Sequence, residues 1–368
     1  MKRPLFVAIL ILAAACARSQ EGSPAVRLAI VGLVHDHVGG MLPQLAKHND
    51  VKLVGIVEPS QELVAHYAER FHLDRGLFFP SIEALAAKTK VEAVATFTST
   101  FDHRRVVETC AALGIDVMME KPLAVNLEHA RAIAAAAAKG NIQVVVNYET
   151  TWYPSTQSAY DFVRARRAIG DVRKIVVCDG HQGPVAIGVS PYFAAWLLDP
   201  VLNGGGALMD FGCYGADLAT WMMGGERPVS VFAVTQNLRP GTYPKVDDEA
   251  TIVVTYPRAQ AIIEASWNWP YNRKDMEIFG EKGALRLPNR DWLFMRMGDG
   301  LEARLPTPAL SGADADSLSY LAAVVRGRIR PSGLSSLEVN MVVTEILDAA
   351  RESARTGRRV ELGGEPPR

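Results

Sequence analysis

Residues able to do chemistry fall in three places along this 368-residue chain. Near its start, Gly32-Leu33-Val34-His35-Asp36-His37 follows a β-branched run, and Glu58 closes the next such run. A Rossmann fold receives a pyrophosphate on the loop after its first strand and holds the adenosine ribose with a carboxylate ending the second. Laid on GxGxxG, only Gly32 matches, with Val34 and His37 where the second and third glycines would stand. Close approach of the pyrophosphate and close helix packing are therefore both in question. Glu58 would favour NAD over NADP by repelling the extra phosphate, and it equally fits an exposed strand-end carboxylate beside Pro59. His35 and His37 have a spacing that could approach a metal, but two imidazoles without an evident third ligand suit a loop or packing role better, and no metal is expected.

The second place is Lys121, which precedes Pro122 after an apolar run, where open α/β sheets collect ligands. The third follows Gly204-Gly205-Gly206: Asp210 and Tyr214 share one helical face, which Asp217 continues. Oxidising a secondary alcohol needs a group to take the hydroxyl proton as hydride leaves. A phenol with a pKa of about 10 does so at neutral pH only if a nearby cation lowers it. Lys121 is expected to supply that cation, Asp210 to orient the substrate or hold the lysine, and Tyr214 to act as acid and base. Asp210 also fits a first-turn carboxylate favoured by the helix dipole, and Tyr214 a packed aromatic. Trp152, Tyr153, Trp196, Trp267 and Trp269 offer stacking surfaces for a sugar ring, although core packing is the commoner fate of each.

Two types of element must position these groups. Short β-branched runs at residues 28–31, 51–57, 91–96, 116–119 and 143–146 alternate with helical spacing at 61–71, 104–113 and 127–139, the pattern of a parallel sheet with crossover helices. After residue 148 alternating strands at 174–178, 229–235, 251–256 and 261–266 indicate an antiparallel sheet. A helix at 337–356 and a short strand at 360–362, able to pair with either domain, complete the chain. The expected fold is α/β: a Rossmann domain over residues 25–148 and an α+β domain on an open antiparallel sheet over 149–368.

A net charge of -1 with interspersed signs argues against nucleic acid or another polyanion, and leaves a small molecule as the expected partner. Residues 1–18 have the layout of a signal peptide: Lys2 and Arg3, an apolar run too short to span a bilayer, then small residues. Ala13-Ala14-Ala15-Cys16 is similar to a bacterial lipobox, so a periplasmic protein and a lipoprotein anchored through Cys16 are both open. Cys110, Cys178 and Cys213 are widely spaced and read as structural thiols.

Three strings, in order, are Thr98-Ser99-Thr100-Phe101-Asp102-His103, Glu120-Lys121-Pro122, and the glycine run through Asp210 to Tyr214. Together with Trp196 to Pro200 and Gly280 to Gly283 they resemble the glucose-fructose oxidoreductase, inositol dehydrogenase and MocA family from about residue 26 to 362. The resemblance implies an NAD(P)-dependent oxidoreductase of sugars, cyclitols or related polyols, commonly a homo-oligomer formed through the second sheet. It places Lys121, Asp210 and Tyr214 in catalysis; Gly32, Val34, His35, Glu58, Thr98, Ser99, Thr100, His103, Glu120 and Lys121 around the nucleotide; and Tyr148 and Trp196 with the catalytic three around the substrate. Most members carry histidine at the position of Tyr214, and tyrosine is similar to the dihydrodiol and xylose dehydrogenase branches. Export implies a tightly bound nucleotide recycled within each turnover. Two alternatives stay open: an NAD-assisted glycosidase working by transient oxidation, and a non-redox exported carbohydrate-binding protein with a degenerate loop.

Overall fold

A computed structural model describes residues 24–363. The signal-like segment and Cys16 lie outside the described residues. Six parallel strands, β1 (Val26–Val31), β2 (Val51–Val57), β3 (Phe78–Phe79), β4 (Ala93–Thr96), β5 (Asp116–Glu120) and β6 (Val144–Asn147), form the first sheet in the order β3-β2-β1-β4-β5-β6. Five match the expected runs, whereas β3 is a two-residue pairing too short to leave a pattern. The helices between them are α1 (Val38–Leu45), α2 (Gln61–Phe71), α3 (Ile82–Ala86), α4 (His103–Leu113) and α5 (Leu127–Gly140). Their ends follow local chemistry: the Ser60 hydroxyl accepts the Leu63 N–H at the start of α2, and Asn126 accepts the His129 N–H at the start of α5. β1 lies between β2 and β4, so the chain leaves it in opposite directions and opens a crevice at the carboxyl edge there.

Three short helices, α6 (Pro154–Tyr160), α7 (Pro191–Leu197) and α8 (Ala207–Asp210), and the longer α9 (Gly212–Met222) belong to the second half. Its nine strands are β7 (Val172–Gly180), β8 (Ser230–Gln236), β9 (Glu249–Thr255), β10 (Gln260–Ser266), β11 (Arg273–Gly280), β12 (Gly283–Asn289), β13 (Trp292–Met297), β14 (Ala303–Leu305) and β15 (Val360–Glu361). They run in the order β14-β13-β12-β11-β7-β10-β9-β8-β15. This sheet is mixed rather than wholly antiparallel, because β7 and β10 are parallel, with Ile175 beside Ala261. The chain between them, which includes α7 to α9 and β8–β9, is long enough for the crossover a parallel pair needs. Ile175 and Val177 of β7, Ile263 of β10 and Ile252 of β9 point inward and bury α9 against the sheet.

β6 ends at Asn147 and the second sheet begins with β7 at Val172, but the last segment does not stay in the second half. Helix α10 (Ser317–Val325) places Leu318 and Leu321 in the first domain's core with Val26, Leu28 and Val51, and Arg326 just after it pairs with Glu92. Helix α11 (Leu337–Thr356) packs against α5, α9 and β8, tying the halves together. β15 pairs with β8, which settles the short strand on the second sheet. Among the described residues no helix is long and apolar enough to cross a membrane.

Candidate active site

Lys121 follows β5 directly, and its peptide bond to Pro122 is cis. Its side chain is 7% exposed and reaches Asp210, 6% exposed, with Nζ 2.5 Å from Oδ1 and 3.1 Å from the Asp210 carbonyl oxygen. The other carboxylate oxygen accepts the Trp267 indole N–H at 2.9 Å. Burial alone would lower the lysine and raise the aspartate, but each holds the other charged: Lys121 titrates above its ordinary value and Asp210 below. An ammonium has three N–H bonds, and Asp210 takes two, leaving one for a substrate oxygen.

Asp247, unmarked in the sequence, sets this geometry. Its carboxylate accepts the N–H groups of Gly206 at 2.9 Å and Leu208 at 2.7 Å, and its carbonyl that of Ala207 at 3.0 Å, fixing the start of α8. A Cβ on Gly206 would lie 1.8 Å from that carbonyl oxygen, so the third glycine is required by close approach. α8 stops at Asp210, and α9 restarts after Phe211. Asp210 therefore ends a short helix rather than opening a long one, and the expected continuous face is broken; Asp217 lies fully buried with no partner among the described residues.

Tyr214 comes to the site but not in the expected state. The Lys121 ammonium stands 5.2 Å from its ring centroid and that of Lys274 5.5 Å, so both cations meet the ring rather than pair with the hydroxyl. Burial, reinforced by Glu149, holds the phenol well above its ordinary value. The Lys121 ammonium is hydrogen-bonded to Asp210 rather than to this hydroxyl.

Sequence reasoning missed several neighbours. The inward register of β7 runs Ile175, Val177, Asp179, so a carboxyl replaces an apolar side chain where the strand meets the site. Asp179 is fully buried, its carboxylate lacks a partner among the described residues, and burial holds it well above the usual carboxylate range. Opposite it on β11 is Lys274, which binds Glu149 at 2.6 Å. His181, just past β7, packs edge-on against Phe211 at 4.9 Å. Such a polar interruption at an inward strand position was the available signal.

Two expected substrate residues are engaged elsewhere. Tyr148 is fully buried, donates to Asn340 at 3.1 Å and packs on Tyr214 at 5.3 Å, so it supports the site from behind. Trp196 donates to the Val34 carbonyl at 3.2 Å and lies 5.4 Å from His35. Trp152 packs on Tyr320.

The nucleotide residues gather at the crevice. A cleft of about 380 Å³ is lined by Gly32, Val34, Glu58, Thr98, Asp102 and Arg105, among others. Gly32 has φ +82°, and a Cβ there would meet Thr98 Cγ2 at 2.6 Å, so this one glycine is needed. Glu58 is buried rather than exposed, accepts Leu33 and Ser60 N–H groups at 2.9 Å, and is raised by burial. The Val34 N–H has no acceptor among the described residues and Val34 lines the cleft, which leaves a backbone donor for a pyrophosphate despite the missing glycines. The crevice thus fits a dinucleotide. Ser99 bonds Asp102, Thr100 bonds Asn203, and His103 is buried against the Leu123 carbonyl; these three shape the wall of the site.

Residues from the second half close over the loop. Ser190 N–H donates to Asp36 at 2.7 Å, and His35, pushed well below its ordinary value by burial, packs 4.4 Å from Phe193. The third ligand absent from the sequence reading is Glu120, whose Oε2 lies 2.9 Å from His37 Nδ1. Ligand atoms of His35, His37 and Glu120 fall within 4.8 Å of one another. Hydrogen bonds link them to their surroundings: His35 Nδ1 accepts the His37 N–H, and the second Glu120 oxygen accepts Asn147. Burial works to raise Glu120, but His37 and Lys121 keep it below the ordinary carboxylate value.

Comparison with known proteins agrees with this architecture. A profile described as "Oxidoreductase family, NAD-binding Rossmann fold" matches residues 26–148, and one described as "GFO/IDH/MocA C-terminal domain" matches 161–286. Trans-1,2-dihydrobenzene-1,2-diol dehydrogenase of Xenopus tropicalis is 26% identical over 82% of this chain and 89% of its own. Inositol 2-dehydrogenase of Rhizobium meliloti (strain 1021) is 27% identical over 77% and 84%. An aldose-aldose oxidoreductase from Caulobacter crescentus, complexed with glycerol, superposes with a TM-score of 0.78 at 24% identity, covering 92% of this chain and 100% of that one. An inositol dehydrogenase homolog from Azotobacter vinelandii complexed with NAD+ has a TM-score of 0.79 at 18% identity, covering 92% and 98%.

Proposed function

The chain belongs to the Gfo/Idh/MocA oxidoreductase family, and from that premise we propose that it interconverts a hydroxyl and a carbonyl on a neutral sugar, cyclitol or related polyol. One observation carries the reading: a buried lysine–aspartate pair with one ammonium N–H to spare, at the carboxyl edge of the parallel sheet. The names of the dihydrodiol and inositol dehydrogenases support an alcohol substrate. A neutral substrate is supported by the two cations at the site being paired, Lys121 with Asp210 and Lys274 with Glu149.

Bound nicotinamide supplies the hydride acceptor or donor. Glu58, Gly32 and Thr98 would hold its adenosine end, and the Val34 N–H its pyrophosphate. In the oxidising direction the hydroxyl proton passes to Lys121 Nζ in its uncharged amine form, and Asp210 Oδ1 stabilises the ammonium so formed. In the reducing direction the same proton returns to the carbonyl oxygen. Neutral Tyr214 serves as a wall and hydrogen-bond donor rather than as the base. Glu58 supports NAD over NADP. The contacts of Ser190 and Trp196 with the phosphate loop support a nucleotide retained through many turnovers. A non-redox binding protein has no use for a buried proton-transfer pair.

Export is part of the same proposal, supported by residues 1–18 and the lipobox-like Cys16. Labelled palmitate retained by the wild type and lost in Cys16→Ser supports the anchored form; equal labelling withdraws it. A homo-oligomer is supported by Phe232, Val234, Phe279 and Trp292, exposed on the outer face of the second sheet. To test the activity, purified protein is mixed with myo-inositol, D-glucose or D-xylose and the nucleotide's absorbance is followed. Reduction by at least one is expected; no change with any, in either direction, overturns the reading.

A further inference from the structure

The chain enters the first domain at the amino edge of the parallel sheet. Pro24 stands just before β1, and its carbonyl accepts two N–H groups of the Arg326 guanidinium, at 2.6 and 3.3 Å. Gly32, which lines the crevice, follows the other end of that six-residue strand, about 20 Å away. The entry point and the crevice therefore lie on opposite edges. The entry edge is basic. Arg27 donates Nε to the Lys90 carbonyl at 2.7 Å and also bonds the Thr89 hydroxyl, which brings Lys88 and Lys90 beside Pro24. Lys52 lies next to Arg27 in the pairing of β1 with β2, and Arg328 and Arg330 follow closely on Arg326. Lys52, Lys88, Arg328 and Arg330 are exposed and have no ion-pair partner among the described residues. Of the carboxylates at this edge, Asp50 is exposed, whereas Glu92 is already taken by Lys90 and Arg326. Since the net charge of the whole chain is only -1, this excess is a local feature, balanced elsewhere on the molecule.

We propose that this edge is a docking surface for the anionic headgroups of a phospholipid bilayer. Eight residues separate Cys16 from Pro24 and reach at most about 28 Å even fully extended, so a lipid on Cys16 holds the entry point and its cations close to the headgroups. At that range each lysine or arginine strengthens partition onto an anionic surface about fivefold, and salt screens the effect. Docked in this way, the protein turns the carboxyl edge away from the bilayer, and the crevice stays open to dissolved polyols. The tether rests on the anchored reading of residues 1–18, whereas the cations belong to the folded domain and act without it.

The test uses the full chain carrying Cys16→Ser, which cannot be acylated there. It is sedimented with vesicles of equal parts phosphatidylglycerol and phosphatidylcholine, or of phosphatidylcholine alone. Binding to the anionic vesicles that weakens as salt is raised is expected, with little on the neutral ones. In that background Lys52→Gln/Lys88→Gln/Arg328→Gln should lower the partition coefficient about a hundredfold at low salt. Arg258→Gln/Lys282→Gln/Arg296→Gln removes the same charge from exposed positions of the second domain and should leave partition nearly unchanged. Both triple variants should keep the wild-type unfolding midpoint and turnover. No sedimentation with anionic vesicles, equal sedimentation with both kinds, or equal losses in the two triple variants overturns the proposal. Palmitate on the wild type without vesicle binding by Cys16→Ser leaves the anchor and refutes the docking surface. Salt-sensitive vesicle binding without palmitate labelling keeps the docking surface and withdraws the tether.

Discussion

Replacing Lys121 with methionine changes charge while nearly preserving length, so its consequence can be followed without a cavity term. Asp210 would keep the Trp267 N–H but lose its ammonium at a position 6% exposed. Removing one partner of a buried ion pair costs about 3–5 kcal/mol, because the remaining charge is left uncompensated. The retained indole bond places Lys121→Met near the lower end, about 3 kcal/mol at neutral pH. The pH dependence follows from the same carboxyl. In the wild type Asp210 is depressed below its unfolded value, so its contribution is fully present above that value and is lost as pH falls through the folded one. In the variant burial is unopposed and the carboxyl rises, so the penalty shrinks as the medium is acidified and Asp210 takes up a proton. Lys121→Met/Asp210→Asn removes the stranded charge and should recover most of the loss. Urea denaturation followed by circular dichroism, with an unchanged slope, reads all three proteins. A Lys121→Met variant within about 0.5 kcal/mol of wild type, or a double variant no better than the single, would refute the claim that this pair is a mutually dependent unit.

Lys121→Met should also abolish turnover while its nucleotide still co-purifies; wild-type rates would remove Lys121 from the proton path. Trp196→Phe deletes the bond to the Val34 carbonyl, so bound nucleotide should exchange about three- to tenfold faster in a chase experiment, whereas an unchanged rate denies the closing segment a part in retention. Tyr214→Phe should slow turnover yet leave the pH profile unaltered, since the phenol lies well above the working range; loss of a basic limb would reinstate Tyr214 as the base. At Glu92, burial is outweighed by the Arg27 N–H and Arg326, which hold it at about 2. Glu92→Gln should therefore cost about 1–2 kcal/mol at neutral pH after solvent screening. That difference should persist above the unfolded carboxyl value and fade as pH falls through about 2.

The parallel sheet was legible because strands buried on both faces become β-branched runs: residues 51–57 are β2, and 61–71 are α2. The parallel pairing of β7 with β10 was not, since strand direction depends on how the chain between them crosses over. Lys121, Asp210 and Tyr214 could be named because short strings carry them, but their protonation could not. The phenol's state depends first on its burial, reinforced by Glu149, and both ammonium groups meet its ring, an arrangement set by β5, β11 and α9 together. Glu120 joined His37 only through a strand remote in sequence. His181 and Asp179 were discoverable in principle as polar residues continuing the inward register of β7. Tyr148 and Trp196 were placed beside the substrate by resemblance, whereas their hydrogen bonds commit them to supporting the pocket and the loop.

The most direct test of the account is to purify the protein, denature it, and assay the supernatant for nicotinamide nucleotide. Near-equimolar NAD should be released, and protein stripped of it should gain thermal stability when NAD is restored. No released nucleotide, together with no stabilisation by NAD or NADP, would contradict a nucleotide-dependent oxidoreductase.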